Sequence, residues 1–205
     1  MDKKTKIIAS VFSVLVLSIL FSCSTVPEIR ITYRVPAITD DLSNKSFSLD
    51  FYDARASKNV IGENARGEYK GFPDNFTMFL SDNTDRNVRA GIFNIRDLFL
   101  KAIKMRLENQ GMAVTEEDSM KGNRMIIVLK EFSLDLVERK WVVKISYEAR
   151  MEINETERAK QTISAQGERL KVLDHKQADI LLSEIFTDSI NRLNSANLLS
   201  DANIN

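Results

Sequence analysis

The sequence predicts an α+β domain in the order strand, helix, three strands, helix, with two helices packed on one face of a mostly antiparallel sheet. Three observations carry this. Ile92, Ile95, Phe99, Ala102, Ile103 and Leu107 recur at three- and four-residue spacing, which is the apolar stripe of a helix. In WVVKISYEARMEI, Trp141 to Ile153, apolar and polar residues alternate, as on a strand with one covered face. A second helical stripe follows at Ala178, Leu181, Leu182, Ile185, Phe186, Ser189 and Leu193.

The elements can be justified in order. SFSLDFY, Ser46 to Tyr52, places Phe47, Leu49 and Phe51 on one face at period two and reads as the first strand of the domain. A long irregular stretch to about Arg89 follows, broken by Gly62, Gly67, Gly71 and Pro73; within it NFTMFL is a short-strand candidate, and a hairpin from Glu68 to Leu80 would organise the rest. The first helix is expected from about Val88 to Asn109, with Gly111 just past its end as a stop. RMIIVLKEF, Arg124 to Phe132, is apolar enough for a central strand. In the next strand Val143, Ile145, Tyr147, Ala149, Met151 and Ile153 point one way, and Lys144, Ser146, Glu148, Arg150 and Glu152 point to solvent. After a turn at Asn154-Glu155, QTISAQGERL (Gln161 to Leu170) is the return strand. The last helix runs from about Lys176 to Leu193 with Asp174 as N-cap. The expected limits are therefore a signal peptide at 1–22, a tether at 23–45, the α/β domain at 46–193 and a polar, frayed tail at 194–205. IRITYRV, Ile29 to Val35, alternates and could form an edge strand, but Pro27, Pro36 and Asp40-Asp41 favour an extended tether.

Composition removes several chemistries. The chain of 205 residues has 29 Lys plus Arg against 29 Asp plus Glu, so no global field steers it to nucleic acid. A single Cys allows no intramolecular disulfide, and a single His, His175, allows no multi-histidine metal site. No cofactor, metal or catalytic residue is expected. Glu116, Glu117 and Asp118 read as a solvated turn, and the Gly62 to Gly67 run lacks the Lys-Ser/Thr ending of a phosphate loop. His175 has no nucleophile near it in sequence and reads as a surface or capping residue.

The N-terminus reads as an address. Lys3, Lys4 and Lys6 form a positive region, and Ile7 to Phe21 form an unbroken apolar run. The run is shorter than the roughly 20 residues that span a bilayer, which favours a cleaved signal over a retained anchor. Leu20-Phe21-Ser22-Cys23 resembles a bacterial lipobox, although Phe21 is bulkier than the usual residue there. The resemblance implies lipidation of the Cys23 thiol, cleavage before it, and acylation of the new amine. Ser24, where an Asp would retain the protein at the inner membrane in enteric bacteria, implies the outer membrane with the domain facing the periplasm.

A second resemblance rests on Asp53-Ala54-Arg55, Ile61-Gly62, LENQGMAV, FSLDL and ADILLSEIF, spread over about residues 46 to 193. Together they are similar to the YajG-like family of envelope lipoproteins, and more loosely to auxiliary lipoproteins of ABC-type lipid transport. What this implies is a periplasm-facing α/β domain with no established activity.

Two clusters are candidate partner-binding sites. Asp53 and Arg55 flank a strand end, where binding residues concentrate, or else form a local ion pair that supports the loop. Tyr69, Phe72, Phe76 and Phe79 form either an exposed aromatic patch or a small core under the loop. The functional expectation is a non-enzymatic, lipid-anchored envelope module that binds a partner protein through the 55–89 loop and a free sheet edge. The alternative is an accessory subunit of an envelope lipid or precursor transport system carrying lipid cargo, which would need a wide apolar cavity between sheet and helices.

Overall fold

Alternation in IRITYR is strong enough to build a strand. In the computed structural model, which describes residues 27–39, 41–43, 45–81, 86–115, 122–172 and 175–204, β1 (Ile29–Arg34) has Ile29, Ile31 and Tyr33 fully buried while Arg30 and Arg34 face solvent. This corrects the reading of 23–45 as tether: the domain begins by Ile29. The partner is β3 (Phe76–Ser81), which pairs with β1 in parallel, and β3 in turn pairs antiparallel with β4 (Asn87–Phe93).

β4 is also a correction. Val88, Ala90 and Ile92 fit period two as well as they fit the helix, and a bulge at Met78/Phe79 with Gly91 at φ 149° completes the strand. The helix α1 (Ile95–Glu108) starts only where Asn94 accepts a hydrogen bond from the Asp97 amide at 2.9 Å, an N-cap. Ile92 is therefore exposed on a strand, whereas Phe99, Ala102, Ile103 and Leu107 are buried as expected.

The remaining strands form a second sheet in the order β5-β2-β6-β7-β8, from β2 (Ser46–Asp53), β5 (Ala113–Thr115), β6 (Asn123–Val137), β7 (Lys140–Ile153) and β8 (Thr156–Leu170). β2 lies parallel to both its neighbours, and β6, β7 and β8 form an antiparallel meander. Both meander turns have two residues in the left-handed region, Glu138-Arg139 and Asn154-Glu155, whose twist matches that of the strands they join. The α+β class stands, but as two mixed sheets of three and five strands.

On β7, Val143, Ile145, Tyr147, Ala149 and Met151 are buried. The opposite face carries an ionic row in which Glu148 pairs with Arg150 and Lys130. The buried face is covered by α1 and by α2 (Lys176–Asn191). Phe99 lies edge-to-face with Phe132, Tyr147 and Phe186 at centroid distances of 5.8, 5.9 and 5.4 Å, and Phe132 does so with Phe76 at 5.5 Å. These rings fill the space between sheet and helices and link the two sheets. Arg106 donates to the Leu193 carbonyl and ties α1 to the end of α2.

The tail is also corrected. Asn194 caps α3 (Ser195–Asp201) by accepting from the Asn197 amide at 3.0 Å, and Leu198, Leu199 and Ala202 are buried in the core. Only two helical turns are needed to bury three apolar residues, too short a pattern to stand out in sequence. Asp174, expected as N-cap of α2, lies outside the described residues; the cap position is His175, whose side chain makes no capping bond.

Candidate functional site

The long loop after β2 is built by hydrogen bonds rather than by a hairpin, which corrects the 68–80 expectation. Ala54 donates to Leu129, Gly62 donates to the Leu134 carbonyl, and the Leu134 amide donates to Val60, so the chain returns to β6 as a short parallel graft. A 3-10 turn, Glu63–Ala65, follows. Its first amides are capped from outside, because Asp135 Oδ1 accepts from the Asn64 and Ala65 amides, each at 3.1 Å, and from its neighbour Leu136 at 2.8 Å. Asp135 fits there because Gly62 has no side chain; a Cβ on residue 62 would overlap its carboxyl group.

Asp53 and Arg55 meet at the root of this loop. Arg55 donates through Nε and Nη2 to the two carboxylate oxygens, both at 3.0 Å, and its amide donates to Oδ1 as well. Lys58 adds an ion pair at 3.2 Å and donates to the Asp53 carbonyl. Arg55 is 7% exposed. Desolvation pushes the Asp53 carboxyl up, but the bonds from Arg55 and Lys58 outweigh it and bring the group down to about 2. The pair fastens the strand end to the loop through Arg55 Nε and Nη2, while Arg55 Nη1 is buried with no hydrogen-bond partner among the described residues.

Of the four aromatic candidates, Phe76 is fully buried and Tyr69 is 3% exposed. Phe72 bridges them, at 6.3 Å from Tyr69 and 5.6 Å from Phe76. Both Tyr69 and Phe76 therefore belong to the main core. Phe79 is separate and half-buried on the outer face of the small sheet, level with Thr32 and Arg89. Cys23 lies outside the described residues.

Tyr69 also marks a meeting point that sequence reasoning missed. Its ring lies 5.9 Å from Trp141 and 5.0 Å from His175. Beside it Lys171 bonds Glu68 and stands 5.8 Å over the Trp141 ring. The Lys171 bond lowers the Glu68 carboxyl, and burial raises the Tyr69 hydroxyl. Tyr69, Trp141 and His175 sit on three separated segments with no shared motif, so nothing local could reveal the cluster.

Two concave surfaces border these elements. A cleft of about 430 Å³ in the loop is lined by Asn59, Val60, Arg66, Lys70, Phe72 and Asp74 among others. A larger groove of about 830 Å³ runs between β1 and α2, with Arg30 and Arg34 on one wall and Glu184 and Asp188 on the other. Its floor is a ladder. Thr32 donates to Ser183 Oγ at 2.9 Å, Arg34 donates to Thr187 Oγ1 at 3.2 Å, and Thr187 and Asn191 donate back to the carbonyls of Thr32 and Arg34. The outer edge of β1 is thus occupied by a helix. Among the described residues no strand pairs with the outer edge of β4, which carries Val88 and Ile92 at 63% and 59% exposure. Among the described residues no group of three or more His, Cys, Asp or Glu could hold a metal, and no helix is long and apolar enough to cross a membrane.

The fold has solved counterparts. A protein of the DUF330 family from Xanthomonas campestris is 13% identical with a TM-score of 0.58, over 85% of this chain and 95% of that one. The minor lipoprotein from Acinetobacter baumannii (11% identity, TM-score 0.41, 78% and 94% coverage) and rare lipoprotein B from Shewanella oneidensis (8%, 0.43, 77% and 98%) are more distant. The first likeness shows the fold alone. No family model and no curated protein matches the chain.

Proposed function

We propose that the chain is a non-enzymatic lipoprotein of the bacterial envelope, lipidated on Cys23, held at the outer membrane and facing the periplasm, where its domain binds a partner protein. The lipobox resemblance implies the anchor, and the YajG-like resemblance implies a periplasm-facing α/β domain with no established activity. One observation carries the binding role: the interior is filled, while among the described residues no strand pairs with the outer edge of β4. Phe99, Phe132, Tyr147 and Phe186 occupy the space between sheet and helices that lipid cargo would need, which weighs against the transport-cargo alternative. By contrast, β4 offers an edge that no strand pairs with among the described residues, with Val88 and Ile92 exposed, suited to an added strand. The loop cleft, with Arg66 and Lys70 beside Phe72, is a second contact surface.

Deleting the loop would remove the core residues Val60, Ala65 and Tyr69, so site-specific photo-crosslinking is the better test. Crosslinkers at Val88 and Lys70 should capture one envelope protein that a crosslinker at Glu108 does not; equal capture at all three would refute the assignment. Cys23→Ser should abolish lipid labelling, and a variant still labelled and processed would overturn the anchor.

A further inference from the structure

The anchor fixes one end of the chain, and the fold determines which end of the domain lies nearest to it. Only Ser24 to Glu28 separate Cys23 from Ile29, the first residue of β1. At no more than roughly 3.5 Å per residue, Ile29 lies within about 20 Å of the lipidated atom whatever path the chain takes. Ile29 is itself locked in place by pairing with Phe76. The lipid surface therefore stands close to the end of the domain at which β1 begins.

That end can be read from the register. Thr32 lies beside Ser183 and Arg34 beside Thr187, so α2 runs in the same direction as β1. With rises of about 3.3 Å per strand residue and 1.5 Å per helix residue, Ile29 stands level with the first turn of α2. The first turn is joined through His175 to Trp141 and Tyr69, and through Lys171 to Arg139 by a backbone bond of 2.9 Å. The turn between β6 and β7, the end of β8 and the start of α2 therefore share the end nearest the anchor.

Among the described residues, four of the eight large apolar side chains that stand exposed are gathered on these elements: Val137 at 45%, Leu170 at 62%, Val172 at 66% and Ile180 at 43%. Val137 and Leu170 both pair with Lys140, on the same outer rung of the sheet. Nearby charges largely cancel: Lys140 pairs with Glu168, Lys171 with Glu68, and Arg139 follows Glu138. A surface of this kind suits the boundary between headgroups and acyl chains, where apolar side chains enter and mixed charges stay wet.

We propose that this end of the domain rests on the bilayer surface, with Val137, Leu170, Val172 and Ile180 in the headgroup region. Docking would fix the orientation of the domain, with Pro36 and the Asn109 turn, which close the far end of β1 and α1, directed away from the lipid. The inference rests on the lipidation of Cys23 proposed above.

The test uses the full-length lipidated protein in vesicles of phosphatidylethanolamine and phosphatidylglycerol. Because lipid occupies the Cys23 sulfur, Leu170→Cys, Val172→Cys and, as control, Glu108→Cys each provide the one free thiol for an environment-sensitive fluorophore. Brominated lipids should quench the labels at 170 and 172 at least about three-fold more than the label at 108, with little change at high salt. If the protein carries acyl chains and floats with the vesicles but all three labels are quenched alike, the docking proposal fails and the anchor stands. Labels at 170 and 172 shielded from an aqueous quencher yet untouched by brominated lipid would place a second copy there and overturn it too. Absence of an acyl mass on Cys23 would remove the anchor and this proposal with it.

Discussion

Gly62 and Asp135 interlock: the space a side chain would fill on residue 62 holds the Asp135 carboxyl group, which accepts from the amides of Asn64 and Ala65. This contact converts a long glycine-bearing loop into a fixed graft on β6. Gly62→Ala should therefore destabilise the protein by about 2 kcal/mol, by displacing the carboxylate and uncapping the turn. Asp135→Ala should cost about 1 kcal/mol, and the double variant should cost clearly less than the sum, since both remove one arrangement. Urea unfolding of the three variants measures this; simple additivity would show that the two residues do not act together.

The Asp53–Arg55 fork predicts an acid limb. A carboxyl lowered from its ordinary value of 3.8 to about 2 adds stability that is complete above the unfolded value and lost as pH falls through the folded one. Asp53 is partly open to solvent, with its side chain 26% exposed, so the contribution is about 1–2 kcal/mol after screening. The stability difference between wild type and Asp53→Asn should be steady above pH 4 and shrink between pH 4 and 2. A difference independent of pH in that window would refute the pairing as the source.

The ladder between β1 and α2 predicts an exchange phenotype. Thr187→Val removes the acceptor for the Arg34 amide and the donor to the Thr32 carbonyl while keeping the shape of the side chain. Stability should fall by about 1–2 kcal/mol, and the Arg34 amide should lose hydrogen-exchange protection before its neighbours do. Unchanged protection at Arg34 would mean that strand pairing to β3 alone holds the edge.

The last helix predicts that the C-terminus is structural. Leu199→Ala should cost about 2–4 kcal/mol, as for any buried leucine, and removal of residues after Asn194 should cost more. A truncated chain with unchanged thermal unfolding would restore the frayed-tail expectation.

Much of this was legible beforehand, and the failures share a cause. The stripe of α1 from Ile95 to Leu107 and the alternation of β7 are legible residue by residue, because both faces of those elements have distinct fates. The six residues from Val88 to Phe93 satisfy both the helical and the strand period, and only pairing with β3 decides between them. β1 looks like tether in sequence because its partner, β3, comes after the whole of the long loop. Asp53 and Arg55 were found together because they are neighbours in sequence. Tyr69, Trp141, His175 and Lys171 were not, since they become neighbours only after the loop closes on the meander.

By itself, then, the sequence determined what is periodic or contiguous: the α+β class, the apolar stripes, the signal-like N-terminus and the lone Cys23. Tertiary structure decided which strands pair, that they pair in two sheets, that Tyr69 and Phe76 are core, and that the start of β1 lies level with the start of α2. The reason is physical. Periodicity reports how a segment divides its own two faces, whereas pairing and burial depend on surfaces supplied by distant segments, which no local window contains.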